Sequence, residues 1–279
     1  MSVAIDSPPP PAAARGARLR RRLARLATWE HAHLFAELSR AAMRAGDHNS
    51  MLGAAWSLLS PFVMLLALYL VFRNRFGSEV EAYPLYLLIG ISLVNYFVTA
   101  TRFLISILFG HRPLLLNTTV PRETVIASQL AVHSSKLLIE MAICGVFSLA
   151  YGLFSFWAAL AAIPLILAFM ALTAGVGLIL ALIHCFARDV EHIWSLISRL
   201  LLFVTPVFYT LDGLPPLAHL LVAWLNPLTP FLVSLRWLLI EGSPPEPLAY
   251  AYATALAFVV LAIGYAAFLR LEGTALERA

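Results

Sequence analysis

Six apolar runs punctuate the chain, at about Met51 to Phe72, Pro84 to Leu108, Val125 to Phe154, Trp157 to Phe186, His192 to Leu211 and Leu248 to Leu269. Each covers roughly 20 residues or more, which at about 1.5 Å per residue crosses a hydrocarbon layer about 30 Å thick. Backbone donors in lipid must be satisfied within their own segment, so these runs predict helices. The expected fold is an all-α membrane protein of six transmembrane helices, with an amphipathic interface helix before the first. Composition agrees, since a chain 61% hydrophobic and 12% charged has too little polar surface to cover a soluble globule.

The polar positions outside these runs set orientation and boundaries. Arg15, Arg18, Arg20, Arg21, Arg22, Arg25, Arg40 and Arg44 precede the first run, and by the positive-inside rule that end stays in the cytoplasm. Six crossings return the other end to the same side, where Arg270 and Arg278 fall. The tail 1–17, rich in proline and alanine, reads as disordered. Over 18–48, Leu23, Leu26, Trp29, Leu34 and Leu38 alternate with arginines, the pattern of a helix lying on the inner membrane surface or of a plain solvated one. Residues 49–272 then form the six-span domain and 273–279 a cytoplasmic tail. No apolar core follows the early arginines closely enough for a cleavable signal. The net charge of +4 sits largely in a tail beside a membrane span, where topology and anionic lipid account for it, so no nucleic acid is expected as a partner.

Between the fifth and sixth runs the chain is apolar yet broken by Gly213, Pro215, Pro216, Asn226, Pro227 and Pro230. Prolines remove backbone donors and end or kink helices. Two short helices re-entering the outer leaflet, turning at Asn226 and Pro227, fit this pattern; an external loop carrying a surface helix fits it also. In the fourth run Ala171, Gly175, Gly177 and Ala181 keep a small-residue spacing that permits close helix approach.

Candidate chemistry is sparse. A phosphate loop needs a lysine, and the single lysine, Lys136, follows His133-Ser134-Ser135 inside a run. The chain is therefore not a P-loop ATPase. Two polar stripes stand out. Gln129, His133, Lys136 and Glu140 are spaced +4, +3, +4 on the third run, within an arc of about 60°, and Ser92, Asn95, Thr99, Arg102 and Ser106 keep helical spacing on one narrow face of the second. A charge at such depth costs about 2.5 to 3.5 kcal/mol on insertion scales, so these groups must face protein or water. Either Lys136 and Glu140 form a structural bridge at i,i+4, or the stripes wall a substrate route or proton relay. Acidic residues are scarce in the other runs, which disfavours a full proton pathway.

The cytoplasmic connections hold Arg112, Asn117, Pro121, Arg122 and Glu123 in the first and Arg188 and Asp189 in the second. Leucines flanked by arginines there suit a docking knob and equally a membrane-surface turn, and Asp189 suits a helix cap with Glu191 behind it. The histidines have no ligand spacing, and Cys144 and Cys185 lie in separate runs as packing residues, so neither metal nor disulfide is expected. A membrane-embedded glycosyltransferase or ligase acting on a lipid diphosphate would need a large external loop bearing carboxylates or histidines; the longest one here offers only Asp212, His219, Arg236, Glu241 and Glu246.

Several short motifs in order resemble the type 2 ABC transporter permeases, and among them the membrane subunits of O-antigen and related polysaccharide exporters. They are Ser50-x-Leu52-Gly53-x-x-Trp56 with Pro61 and Tyr69-x-Val71-Phe72, then Tyr83-Pro84-x-Tyr86 with Gly90, then Asn117 through Glu123, which resembles the family's coupling loop. Phe186-Ala187-Arg188-Asp189-Val190, Thr205-Pro206-Val207-x-Tyr209, Asn226-Pro227-Leu228 and Arg236 follow. The resemblance implies a homodimer in a bacterial inner membrane, both termini cytoplasmic, with two copies of a separate ATP-binding subunit that holds ATP and magnesium. No cofactor is implied on this chain. The implied cargo is an undecaprenyl-diphosphate-linked polysaccharide, with capsule, teichoic acid, drug or lipid as alternatives within the class. Sugar faces pack on aromatic rings, and Tyr69, Tyr96, Phe97, Phe208 and Tyr209 are the candidates for such a wall, or else helix-packing aromatics.

Overall fold

The computed structural model of the chain describes residues 29–47, 55–77, 80–110, 122–243 and 246–278. All regular structure in this part is helical. The long helices are α1 (Trp29–Asp47), α2 (Ala55–Phe76), α3 (Tyr83–Gly110), α4 (Arg122–Ala150), α5 (Phe156–Phe186) and α6 (Val190–Val204). After α6 the chain breaks into a short turn at Leu211–Gly213, then α7 (Pro216–Leu220), which runs into a wider turn over Leu221–Leu225. Next come α8 (Thr229–Arg236), continued by a similar turn over Trp237–Glu241, and finally α9 (Pro247–Arg278).

Four segments are long and apolar enough to cross a membrane: Tyr83–Ile107, Glu123–Ala150, Phe156–Phe186 and Pro247–Leu271. Of the other two expected spans, α2 runs over Ala55–Phe76, past the end of its apolar run at Phe72, whereas α6 stops at Val204 rather than Leu211. Thr205-Pro206 ends α6, because proline lacks the donor that would continue the ladder. The apolar residues beyond, Val207 and Phe208, turn aside to pack on neighbouring helices, Phe208 stacking on Phe72 at 4.6 Å. The segment between α6 and α9 forms a helix pair, Pro216–Leu225 and Thr229–Glu241, bent by 92°.

Helix α3 is central, with Leu85, Leu87, Leu88 and Ile89 fully enclosed. It packs between α5 and α4, and α5 lies along α9. The small residues of α5 explain that pairing. A methyl group on Gly175 would fall 2.6 Å from the Leu261 nitrogen, and one on Gly264 would fall 2.5 Å from the Gly175 oxygen, so the two backbones touch at this crossing. Gly177 receives Leu104 of α3 in the same way. Helix α1 packs on the start of α4, where Ser39 is buried and its Oγ donates to the Ser128 carbonyl at 3.5 Å. Its outer face carries the exposed Glu37–Arg40 pair at 3.0 Å. The part of the expected interface helix before Trp29 lies outside the described residues.

Candidate functional site

The polar stripe of α3 faces α4 at one end and open space at the other. Ser92 is buried, Asn95 half-buried, and Thr99, Arg102 and Ser106 are exposed. Thr99 donates to the carbonyls of Asn95 at 2.7 Å and Tyr96 at 3.2 Å, which satisfies its hydroxyl within its own helix. The stripe of α4 meets it through ring and hydroxyl contacts: Tyr96 Oη and Ser134 Oγ lie 3.0 Å apart, and the Phe103 and His133 rings are 5.1 Å apart. Gln129 is half-buried near the start of α4.

Lys136 and Glu140 do not form the i,i+4 bridge that is one of the two readings of the stripe. Lys136 points outward and is exposed, whereas Glu140 turns inward beside Ser92. Arg40 and Glu37 of α1, by contrast, do form an ion pair, at 3.0 Å. One carboxylate oxygen of Glu140 and the Ser92 hydroxyl are buried with no hydrogen-bond partner.

At the same depth, α2, α3 and α6 enclose a groove of about 390 Å³. Ser60, Pro61 and Met64 come from α2, Ile91, Val94, Asn95 and Val98 from α3, and Ser198, Arg199 and Leu202 from α6. The register of α6 against α3 is antiparallel. Trp194 Nε1 donates to Thr101 Oγ1 at 3.0 Å, while Tyr83 and Tyr86 hydroxyls donate to the carbonyls of Phe208 at 3.0 Å and Tyr209 at 2.8 Å. Arg199 therefore stands level with Asn95, about 18 Å along α3 from Tyr83 and about 22 Å from Gly110. Arg199 is exposed. The sequence reading passed over it, because a single charge has no period; a lone arginine within an apolar run was the available signal.

Arg236 is the opposite case. It is buried in α8 and donates from Nη1 to Pro206 at 2.7 Å, from Nη2 to Val207 at 2.8 Å and Tyr86 at 3.1 Å, and from Nε to Tyr86 at 3.3 Å. Its guanidinium lies 3.3 Å from the centre of the Tyr86 ring. One side chain thus ties α3, the break after α6 and the bent pair together. Asn226 secures the bend itself: Oδ1 accepts from the Leu228 backbone at 3.0 Å and Nδ2 donates to Thr205 Oγ1 at 3.0 Å. Pro227 follows in the turn.

The aromatic candidates separate. Tyr96 and Phe97 are enclosed in the protomer against Phe169, at ring distances of 5.9 and 6.3 Å. Tyr209 is half-buried and bonds the carbonyls of Phe203 and Val204, and Phe208 joins the stack on Phe72. Tyr69 lines a cleft of about 670 Å³ near Tyr83, with Arg73 placed 5.4 Å over its ring. Of the connection residues, Arg112, Asn117 and Pro121 lie outside the described residues, and Arg122 opens α4 with Glu123 in its first turn. Asp189 occupies the cap position of α6, but its side chain makes no capping hydrogen bond; the exposed Arg188 precedes it. No group of three or more potential metal ligands occurs among the described residues.

Several apolar helices long enough to cross a bilayer, with lipid-suited exposed faces and polar groups gathered at mid-depth, define a multi-pass membrane protein. The chain belongs to the ABC-2 type transporter family, whose model matches residues 34–240. It is 27% identical over 229 residues to the O-antigen export system permease protein RfbA of Klebsiella pneumoniae, covering 80% of this chain and 86% of that protein. It is 26% identical over 219 residues to the RfbA permease of Myxococcus xanthus, covering 78% and 84%. Family and relatives make it a transport permease rather than an enzyme.

Proposed function

We propose that this chain is the membrane subunit of an ATP-driven exporter that carries a lipid-linked polysaccharide of the O-antigen kind from cytoplasm to periplasm. The observation that carries the reading is the match to export permeases of two organisms over more than four-fifths of their length. In this reading the chain pairs with a second copy and with two ATP-binding subunits in the bacterial inner membrane. ATP and magnesium belong to those subunits. The connections holding Arg112 to Glu123 and Arg188 to Asp189 form the coupling surface, and both termini face the cytoplasm.

All six helices from α2 to α6 together with α9 cross, the short α6 running beside α3 for most of its depth. The bent pair re-enters from outside, and α1 lies at the inner surface with the domain over 49–272 following it. Support for re-entry comes from exposure: Leu217, Leu220, Leu221, Trp224 and Leu225 present an apolar face outward. That face would be costly in water and suits lipid.

Co-reconstitution of the chain and its ATPase in inside-out vesicles, supplied with a diphospholipid-linked oligosaccharide, tests the proposal. ATP-dependent protection of the oligosaccharide from an added glycosidase is expected. Protection of an amphipathic drug or a simple phospholipid in its place, with none of the oligosaccharide, would overturn the cargo assignment.

A further inference from the structure

The groove between α2, α3 and α6 holds an exposed cation at the depth where a cation is most expensive. Arg199 has no hydrogen-bond or ion-pair partner among the described residues, although it stands about midway along α3 and α6 is bordered by exposed Ile197, Leu200 and Phe203. Arg236, buried in α8, is satisfied by four carbonyl contacts and a ring. Arg199 has none of these. A guanidinium at mid-depth must meet water, protein or an anion.

Its neighbours are neutral hydrogen-bonding groups. Asn95 lines the groove, Ser60 is exposed on its α2 wall, and the Ser198 hydroxyl is buried without a partner. Asn95 is also a member of the α3 stripe, one turn from exposed Thr99 and two from exposed Arg102. The groove and the stripe thus form one polar path along α3, with a positive charge at each of two levels. No carboxylate lines the groove.

We propose that this groove is an anion-binding station, in which Arg199 takes a phosphate group of the cargo at mid-membrane depth while Asn95, Ser60 and Ser198 supply neutral hydrogen bonds. This rests on the exporter reading above and adds to it the residue and the chemistry. Arginine suits the task because its planar fork binds phosphate oxygens in pairs and stays charged when desolvated.

The test uses the complete transporter with its ATPase in membranes. Cys144 and Cys185 are replaced by alanine and Ser60→Cys is introduced as a reporter on the groove wall. An anionic and a cationic methanethiosulfonate are then compared, with Asp212→Cys as an exposed control. The anionic reagent is expected to react at Ser60→Cys about tenfold faster relative to the cationic one, and Arg199→Gln is expected to abolish that preference. Cargo protection is expected to fall about tenfold in Arg199→Gln and to stay within a few fold in Arg199→Lys, the charge being kept. Equal rates of the two reagents, or an inert Ser60→Cys beside a reactive Asp212→Cys, would overturn the proposal, as would undiminished export by Arg199→Gln. An Arg199→Gln chain that fails to co-purify with its ATPase leaves the sign preference at Ser60→Cys, measured with Arg199 present, as the deciding result. Failure of wild-type export with the preference intact would sink the exporter reading alone.

Discussion

Arg236 is enclosed by carbonyl oxygens of Tyr86, Pro206 and Val207 and by the Tyr86 ring, so its charge is distributed over several acceptors, of which Pro206 and Val207 lie outside any helix. Removing it takes the donor from the carbonyls of Pro206 and Val207, each worth about 1 to 3 kcal/mol. Arg236→Met is therefore expected to lower stability by at least about 2 kcal/mol, read as a lower thermal midpoint of the purified protein. Arg236→Lys should recover only part, since a single ammonium cannot reach all three carbonyls in the fork geometry. An unchanged midpoint in Arg236→Met would mean that the carbonyls find other donors. Periodicity exposed the polar stripes because four or five polar residues at helical spacing make a face. It did not distinguish Arg199 from Arg236, since what separates them is their neighbours, brought from positions as distant as Ser60 and Asn95 on one side and Pro206 on the other. The Lys136–Glu140 bridge failed for a related reason. Spacing places both on one side of α4, but Glu140 is drawn toward Ser92 on α3 while Lys136 stays exposed.

At the scale of elements, the long helices were legible because α3, α4, α5 and α9 contain uninterrupted apolar windows. The end of α6 was not, because an apolar run continues through residues that serve packing after the helix has stopped. Val207 and Phe208 are such residues, apolar because they pack on α3 and α2, not because they span. The break between α6 and α9 was readable from its prolines, yet the sequence left two geometries open. In the structure Asn226 pins the bend to Thr205, inward of the level where Tyr83 meets Phe208. Re-entry then makes a prediction at the bend. Leu225→Cys, 77% exposed in the protomer, is expected to react with a lipid-soluble maleimide and to resist a charged, water-soluble one, while Asp212→Cys reacts with both. Rapid labelling of Leu225→Cys by the charged reagent from outside would place the bent pair in water as an external loop.

At the scale of the whole molecule, an apolar exterior surrounds a small set of polar groups, and the sequence contains no phosphate loop. A phosphate loop requires glycines, a lysine reaching the phosphates and a following hydroxyl at the start of a helix. The single lysine of the chain, Lys136, stands mid-way along α4, after His133-Ser134-Ser135 and before Leu137, Leu138 and Ile139. Substituting arginines for that lysine would not build the loop, because the glycine-rich turn is missing as well. If the chain exports as proposed, work must reach it as mechanical displacement through its connections rather than as bound nucleotide. The purified chain is accordingly expected to bind no ATP and to show no hydrolysis above a protein-free control, measured by equilibrium dialysis and phosphate release. Adding the separate ATPase should bring turnover in proportion to the complex formed. Charge reversal by Arg122→Glu at the start of α4 should reduce that complex, read by co-purification at fixed expression. Hydrolysis by the chain alone that survives removal of trace ATPase would contradict the division of labour, and unchanged co-purification of Arg122→Glu would move the coupling surface elsewhere.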